Sequence, residues 1–147
     1  MIAVDTNLLA RFYVDDTTDP EASRQRSIAH RVLAEADSVF VPITVVLELE
    51  CVVRALYDFA PVDFARVLGH LAALPNVVVE DRSRVFVALG LHLKGLDFAD
   101  ALHLSRGSHC DRLVTFDRAF ARIEPGLHVG HTAHDHDATD GQIYLSP

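Results

Sequence analysis

Short β-branched runs alternating with longer stretches of helical period predict an α/β fold, a three-layer α/β/α sandwich around a mostly parallel central sheet. Two further observations support it. The candidate strands are separated by helices, as right-handed βαβ crossovers require. The 147 residues, half of them hydrophobic, are enough for one core and too few for two independent domains.

The elements follow in order. Ile2 to Asp5 reads as the first strand, and a helix carrying Leu8, Leu9, Phe12 and Tyr13 follows at once. A second helix is expected from about Glu21 to Ala36, with Ile28, Val32 and Leu33 on one stripe. Val39 to Val41 is the second strand, stopped by Pro42. Thr44 to Phe59 is helical, with Val45, Val46, Leu49, Val52, Val53 and Leu56 spaced by three and four. Pro61 opens the next helix at the first-turn position that proline tolerates. Val77 to Val79 is the third strand. Helices over Val85 to Lys94 and Phe98 to Ser108 flank a break at Gly95, and Arg112 to Thr115 is the fourth strand. Residues 1–130 form one expected domain. Residues 131–147 are set apart as a polar tail without regular period, in which His131, His134 and His136 alternate with acids close behind His128. Imidazoles and carboxylates can bind a transition metal there, but surface solvation is the simpler reading.

Composition narrows the function. Cys51 and Cys110 have neither the paired spacing of a zinc site nor that of a disulfide framework, so a reducing compartment is expected. No apolar run approaches the roughly 18 residues of a membrane span, and no basic leader precedes an apolar stretch, so the expectation is a soluble, cytoplasmic protein. The net charge of −8 argues against a nucleic-acid binder held by long-range attraction. A polyanionic substrate must be met locally, and since Lys94 is the only lysine, arginines such as Arg11, Arg24, Arg26, Arg82 or Arg84 would have to meet it, although a solvated helix face is the simpler reading of most of them.

Ligands in parallel sheets gather beyond the carboxyl ends of the strands. Asp5 ends the first strand and Asp117 follows the fourth, and for each alone helix capping is a sufficient explanation. Asp97 and Asp100 lie three apart on one helical face; capping accounts for Asp97 at the helix start but not for Asp100, one turn inside, which has no basic residue within four positions, so that a tertiary ion pair is the alternative to a functional role. In the apolar helix, Glu50 precedes Arg54 by four residues, so a surface ion pair explains it. Glu48 has only Thr44, Val45, Cys51 and Val52 at those offsets. Asp5, Glu48, Asp100 and Asp117 thus come from four elements whose ends the fold is expected to gather at one edge of the sheet. Four converging carboxylates require divalent cations to neutralise them. Oxygen-only ligation favours Mg²⁺ or Mn²⁺, and the reaction class implied is metal-assisted phosphodiester hydrolysis.

The same residues carry a resemblance to the PIN-domain family, and within it to the VapC-type toxin ribonucleases. It runs through Val4-Asp5-Thr6-Asn7-Leu8-Leu9, Thr44-Val45-Val46-Leu47-Glu48, Gly95-Leu96-Asp97-Phe98-Ala99-Asp100-Ala101-Leu102-His103 and Leu113-Val114-Thr115-Phe116-Asp117, covering about residues 1–124. The resemblance implies a PIN-like nuclease domain in which Asp5, Glu48, Asp100 and Asp117 hold one or two metal ions. It implies Asn7 and Thr115 as polar supports of those acids and Asp97 as an additional acid at the rim. It further implies endonucleolytic RNA hydrolysis with Mg²⁺ or Mn²⁺, a homodimer, and a cognate antitoxin of a type II toxin-antitoxin system laid across the active site. The alternative is a non-catalytic PIN-like module that binds RNA or protein. A haloacid dehalogenase-type phosphatase would need a second acid two residues after Asp5, where Asn7 stands. A receiver domain would need a late lysine, and Lys94 precedes the strand that would carry it.

Overall fold

A computed structural model of the chain describes residues 1–110, 113–115, 129–130 and 143–145, which fall into two compact units, Met1–Ser83 and Arg84–Pro147. The first unit holds β1 (Ile2–Ala3), α1 (Thr6–Tyr13), α2 (Pro20–Glu35), β2 (Val39–Val41), α3 (Ile43–Tyr57), α4 (Pro61–Ala73) and β3 (Val77–Val79). Its three strands are all parallel in the order β1-β2-β3, with Ile2 opposite Val39 and Val39 opposite Val77. The central strand is the most deeply placed: Val39 and Val41 are fully buried, whereas Val78 on the edge strand β3 is exposed. Helices cover what the short strands leave open. Leu9 and Ala10 of α1 are buried where α1 packs against α2 and α3, and Phe64, Leu68 and Leu71 form the buried stripe of α4.

Two helices bury stripes other than the expected ones. In α2 the buried residues are Ala22, Ala29 and Leu33, and Ile28 is exposed, because small side chains let α2 pack closely while Ile28 lies off that stripe. In α3 they are Val46, Leu49, Glu50 and Val53, and Leu56 is 70% exposed. Glu50 is therefore not a surface residue as expected: its side chain is only 2% exposed, and Arg54 Nε donates to it at 2.8 Å. The pairing is the expected one, but it lies on the packed face of α3, because Glu50 sits at the i, i+3, i+4, i+7 positions occupied by Val46, Leu49 and Val53.

The ends of these helices are tied over long sequence separations. Pro42, the N-cap of α3, has no side-chain oxygen to offer, and Glu80, just after β3, supplies the cap by accepting from Ile43 N at 2.8 Å. Asn76 Nδ2, just before β3, donates to Leu33 O and Ala36 O at the C-terminus of α2, each at 2.9 Å.

The second unit contains α5 (Arg82–Leu93) from Arg84 onward, α6 (Phe98–Arg106), β4 (Leu113–Thr115), β5 (Val129–Gly130) and β6 (Ile143–Leu145). Helix α5 ends in a Schellman motif: Leu96 N donates to Leu91 O and Gly95 N to His92 O, with Gly95 at φ +104°, a conformation that disfavours any side chain. Arg84 closes the far end of α6, donating from Nη1 to Ser105 O and Arg106 O at 2.9 Å and to Ser108 Oγ at 3.2 Å. The fourth strand departs from expectation. β4 does not continue the parallel ladder but lies antiparallel to β6 in a separate sheet of order β4-β6-β5. Ile143-Tyr144-Leu145 is a β-favouring triplet at the end of a polar segment, and it satisfies the Leu113–Thr115 backbone in the slightly stronger antiparallel pattern. The cluster His128, His131, His134 and His136 lies outside the described residues.

Candidate functional site

Helix α1 starts where β1 ends, and three consecutive polar residues mark the transition. Asp5 is the N-cap, with Oδ1 accepting from Leu8 N at 2.9 Å. The capping explanation therefore holds for Asp5, but it occupies one oxygen. Oδ2 has no hydrogen-bond donor among the described residues, and the side chain is exposed. Thr6, the next residue, turns inward and is buried, and Asn7 turns outward.

Glu48 reaches this same helix start. Thr6 Oγ1 donates to Glu48 Oε2 at 2.6 Å, the short distance of a hydroxyl bonded to a charged acceptor. Glu48 projects from the second turn of α3 and is exposed, so it is the hydroxyl from α1, and not any neighbour on α3, that fixes the carboxylate. Oε1 has no donor among the described residues. Sequence reasoning treated Glu48 as lacking a partner and passed over Thr6. The signal was a small hydroxyl residue between Asp5 and Asn7, at a position whose periodicity with Leu9, Ala10 and Tyr13 turns it toward the protein interior.

In the second unit, the motif after Gly95 is held by a buried histidine. His92 Nδ1 donates to Leu96 O at 2.7 Å, since a carbonyl can only accept, and the His92 ring meets Phe98 edge-on with centroids 5.5 Å apart. Asp97 stands between these two fixed residues as the N-cap of α6, accepting from Ala99 N at 2.9 Å. Asp100 follows in the first turn and is half-buried. Backbone of Thr115 ends β4, and its side chain, with all of Asp117, lies outside the described residues. The structure thus joins Glu48 to the Asp5-Thr6-Asn7 turn within one unit and places Asp97 and Asp100 together within the other. Among the described residues, no group of three or more His, Cys, Asp or Glu has a metal-holding arrangement.

The arginines separate clearly. Arg24 pairs with Glu21 on the exposed face of α2, Arg26 with Asp15, and Arg84 with the end of α6. Arg11, with Asn7 and Leu8 of α1 and Gln25, Ile28 and Ala29 of α2, lines an open cleft of about 430 Å³. At the other end of α1, Tyr13 hydrogen-bonds His70 Nδ1 at 2.9 Å, and burial pushes its phenol above the ordinary value of 10.0.

A parallel β-sheet whose first strand leads into an aspartate-capped helix start, to which Glu48 of α3 is joined, defines an α/β protein with its candidate chemistry at that start. The chain belongs to the PIN-domain family: the PIN domain matches it over residues 2–125, and its fold is the three-layer α/β/α sandwich of that family. PIN domains are generally nucleases that act on RNA and typically use divalent metals. No curated protein sequence matches the chain. No helix among the described residues is long and apolar enough to cross a membrane.

Proposed function

We propose that the chain is a Mg²⁺- or Mn²⁺-dependent endoribonuclease and the toxin component of a type II toxin-antitoxin pair, with Asp5, Glu48, Asp100 and Asp117 as its acidic metal ligands. The observation that supports it best is the 2.6 Å bond from Thr6 to Glu48, which brings a carboxylate from α3 to the turn that carries Asp5 in a chain of the PIN family. The donors present suit such an ion. Asp5 and Glu48 each keep one carboxylate oxygen without a donor among the described residues, and the set consists of hard oxygens with no thiolate or imidazole.

When bound, the ion supplies the positive charge that polarises a phosphodiester and lowers the pKa of an attacking water. The protein's own part is positional. Capping orients the Asp5 carboxylate through its other oxygen, Thr6 holds Glu48 in one rotamer, and Asp97 and His92 set the start of the helix carrying Asp100. Asn7 and Thr115 are proposed as further polar supports. The homodimer and the antitoxin belong to the same proposal; of residues 131–147, set apart in sequence as a tail, Ile143–Leu145 is paired with Leu113–Thr115.

Asp5→Asn and Asp100→Asn test it. Asparagine is as good an N-cap as aspartate, so Asp5→Asn removes the charge without removing the Leu8 bond. Both variants are expected to fold as the parent does by circular dichroism and to lose Mn²⁺-dependent cleavage of RNA, while the parent cleaves and is stopped by EDTA. Cleavage retained in both would refute the assignment. RNA binding by the parent without any cleavage would leave the non-catalytic module instead. Copurification with a small protein from the neighbouring reading frame tests the toxin assignment.

A further inference from the structure

We infer that the cleft between α1 and α2 is a phosphate-binding subsite for the RNA backbone, with Arg11 as its cation. This rests on the proposed nuclease reading and goes beyond it by naming where a chain of net charge −8 meets its polyanionic substrate.

The state of the guanidinium is the first reason. Arg11 Nε donates to Gln25 Oε1 at 3.0 Å, which anchors the plane of the fork against α2. Its two terminal nitrogens stand 3.9 Å from Asp16 Oδ2 and 3.7 Å from Asp19 Oδ2, attracted but beyond hydrogen-bond length. Both Nη groups are thus ion-paired with a carboxylate but hydrogen-bonded to none among the described residues, and a phosphate that displaces the longer contacts meets them in the side-by-side pattern that matches two of its oxygens. Arg24, Arg66 and Arg84 differ, each donating from a terminal nitrogen to an acceptor within 3.3 Å.

The two acids do not cancel the site. Asp19 spends Oδ1 on capping α2, and Asp16 Oδ1 accepts from both the amide and the hydroxyl of Thr18. They hold Arg11 in place by charge and leave its forked edge without hydrogen bonds.

Placement is the second reason. Arg11 is one turn from Asn7 on the same face of α1, and Asp5 caps that helix six residues earlier, about 9 Å along the axis. A phosphate on Arg11 is thus a neighbour of the one at the acids and not the scissile one itself. Asn7 and Gln25 add amide groups to the cleft wall, and Leu8 and Ile28 supply apolar surface for a sugar. The exposed Ile28, which departs from the expected stripe of α2, gains a use here.

The test compares the parent with Arg11→Gln, Arg11→Lys and Gln25→Glu. Affinity for a fluorescein-labelled single-stranded RNA of mixed sequence is read by anisotropy in EDTA across a salt series, and kcat and KM are read with Mn²⁺. Arg11→Gln is expected to weaken binding and to flatten the slope of log K against log salt by about 0.7, the value of one single-strand phosphate contact. It should raise KM by roughly tenfold with kcat little changed, the pattern of an interaction made equally in ground and transition states. Arg11→Lys keeps the slope and recovers part of the affinity, because charge survives and the fork does not. Gln25→Glu lies on an exposed position and weakens binding by occupying the guanidinium. A parent that cleaves RNA while Arg11→Gln and Gln25→Glu keep its affinity and slope overturns the subsite alone. A parent that neither binds nor cleaves RNA overturns the nuclease reading beneath it. Loss of a copurifying protein on Arg11→Gln, with RNA affinity unchanged, makes the cleft a protein groove and overturns the subsite as well.

Discussion

Replacing Thr6 by Val removes one hydroxyl and almost nothing else. Both residues are β-branched, both suit the first turn of α1 equally, and the added methyl fills the space of the lost oxygen. The bond removed is the 2.6 Å donation to Glu48. A hydrogen bond to a charged acceptor contributes about 1.5–3 kcal/mol, but Glu48 is exposed and water replaces the donor on its side, so the net loss is about 1 kcal/mol. With a urea m-value of about 2 kcal/mol/M, the midpoint should fall by about 0.5 M, followed by far-UV circular dichroism. Thr6→Ser keeps the hydroxyl and should stay nearer the parent. Under the proposed function, freeing Glu48 weakens Mn²⁺ activation by at least about tenfold, the usual effect of losing a residue that orients a metal ligand. A midpoint for Thr6→Val equal to that of the parent and of Thr6→Ser would refute the role given to this bond.

Two further outcomes follow from contacts elsewhere. Tyr13 is half-buried, and that burial raises its folded-state pKa above the ordinary 10.0; the neutral phenol's contribution to stability is complete below that value and is lost as pH rises beyond it. Tyr13→Phe should therefore cost about 1 kcal/mol at neutral pH through the lost His70 bond and show a shallower alkaline decline in thermal unfolding, and identical alkaline slopes would contradict the burial argument. Arg84→Met strips the cation from the last carbonyls of α6 and should cost roughly 2 kcal/mol, or about 6 °C in Tm for a chain of this size, measured by calorimetry.

Much of this architecture was legible because it rests on local chemistry. Pro42, Pro61 and Gly95 punctuate the chain where elements change, and Val39-Phe40-Val41 and Val77-Val78-Val79 have few alternatives to strands. Long-range pairing was not legible. Nothing in the order of residues says that Thr6 meets Glu48 across 42 positions, or that Ile143–Leu145 pairs with β4. Glu50 shows the limit within a single helix: the i, i+4 partner was readable, but the side on which the pair lies depends on what packs against α3. For the candidate site, capping by Asp5 and Asp97 was foreseen from residue type alone, whereas the buried hydroxyl and histidine that hold their neighbours were visible only in three dimensions.

The cap that Glu80 places on Ile43 also orders events during synthesis. Helix α3 is complete in the nascent chain long before the residue that finishes its first turn has left the ribosome, because the two are 37 positions apart. Until β3 docks, the first amide of that helix lacks its acceptor, and the turn ahead of Glu48 frays more easily. Truncated products ending before residue 80 thus carry the acid on a helix without its cap, so a chain released early holds the first half of the site less firmly.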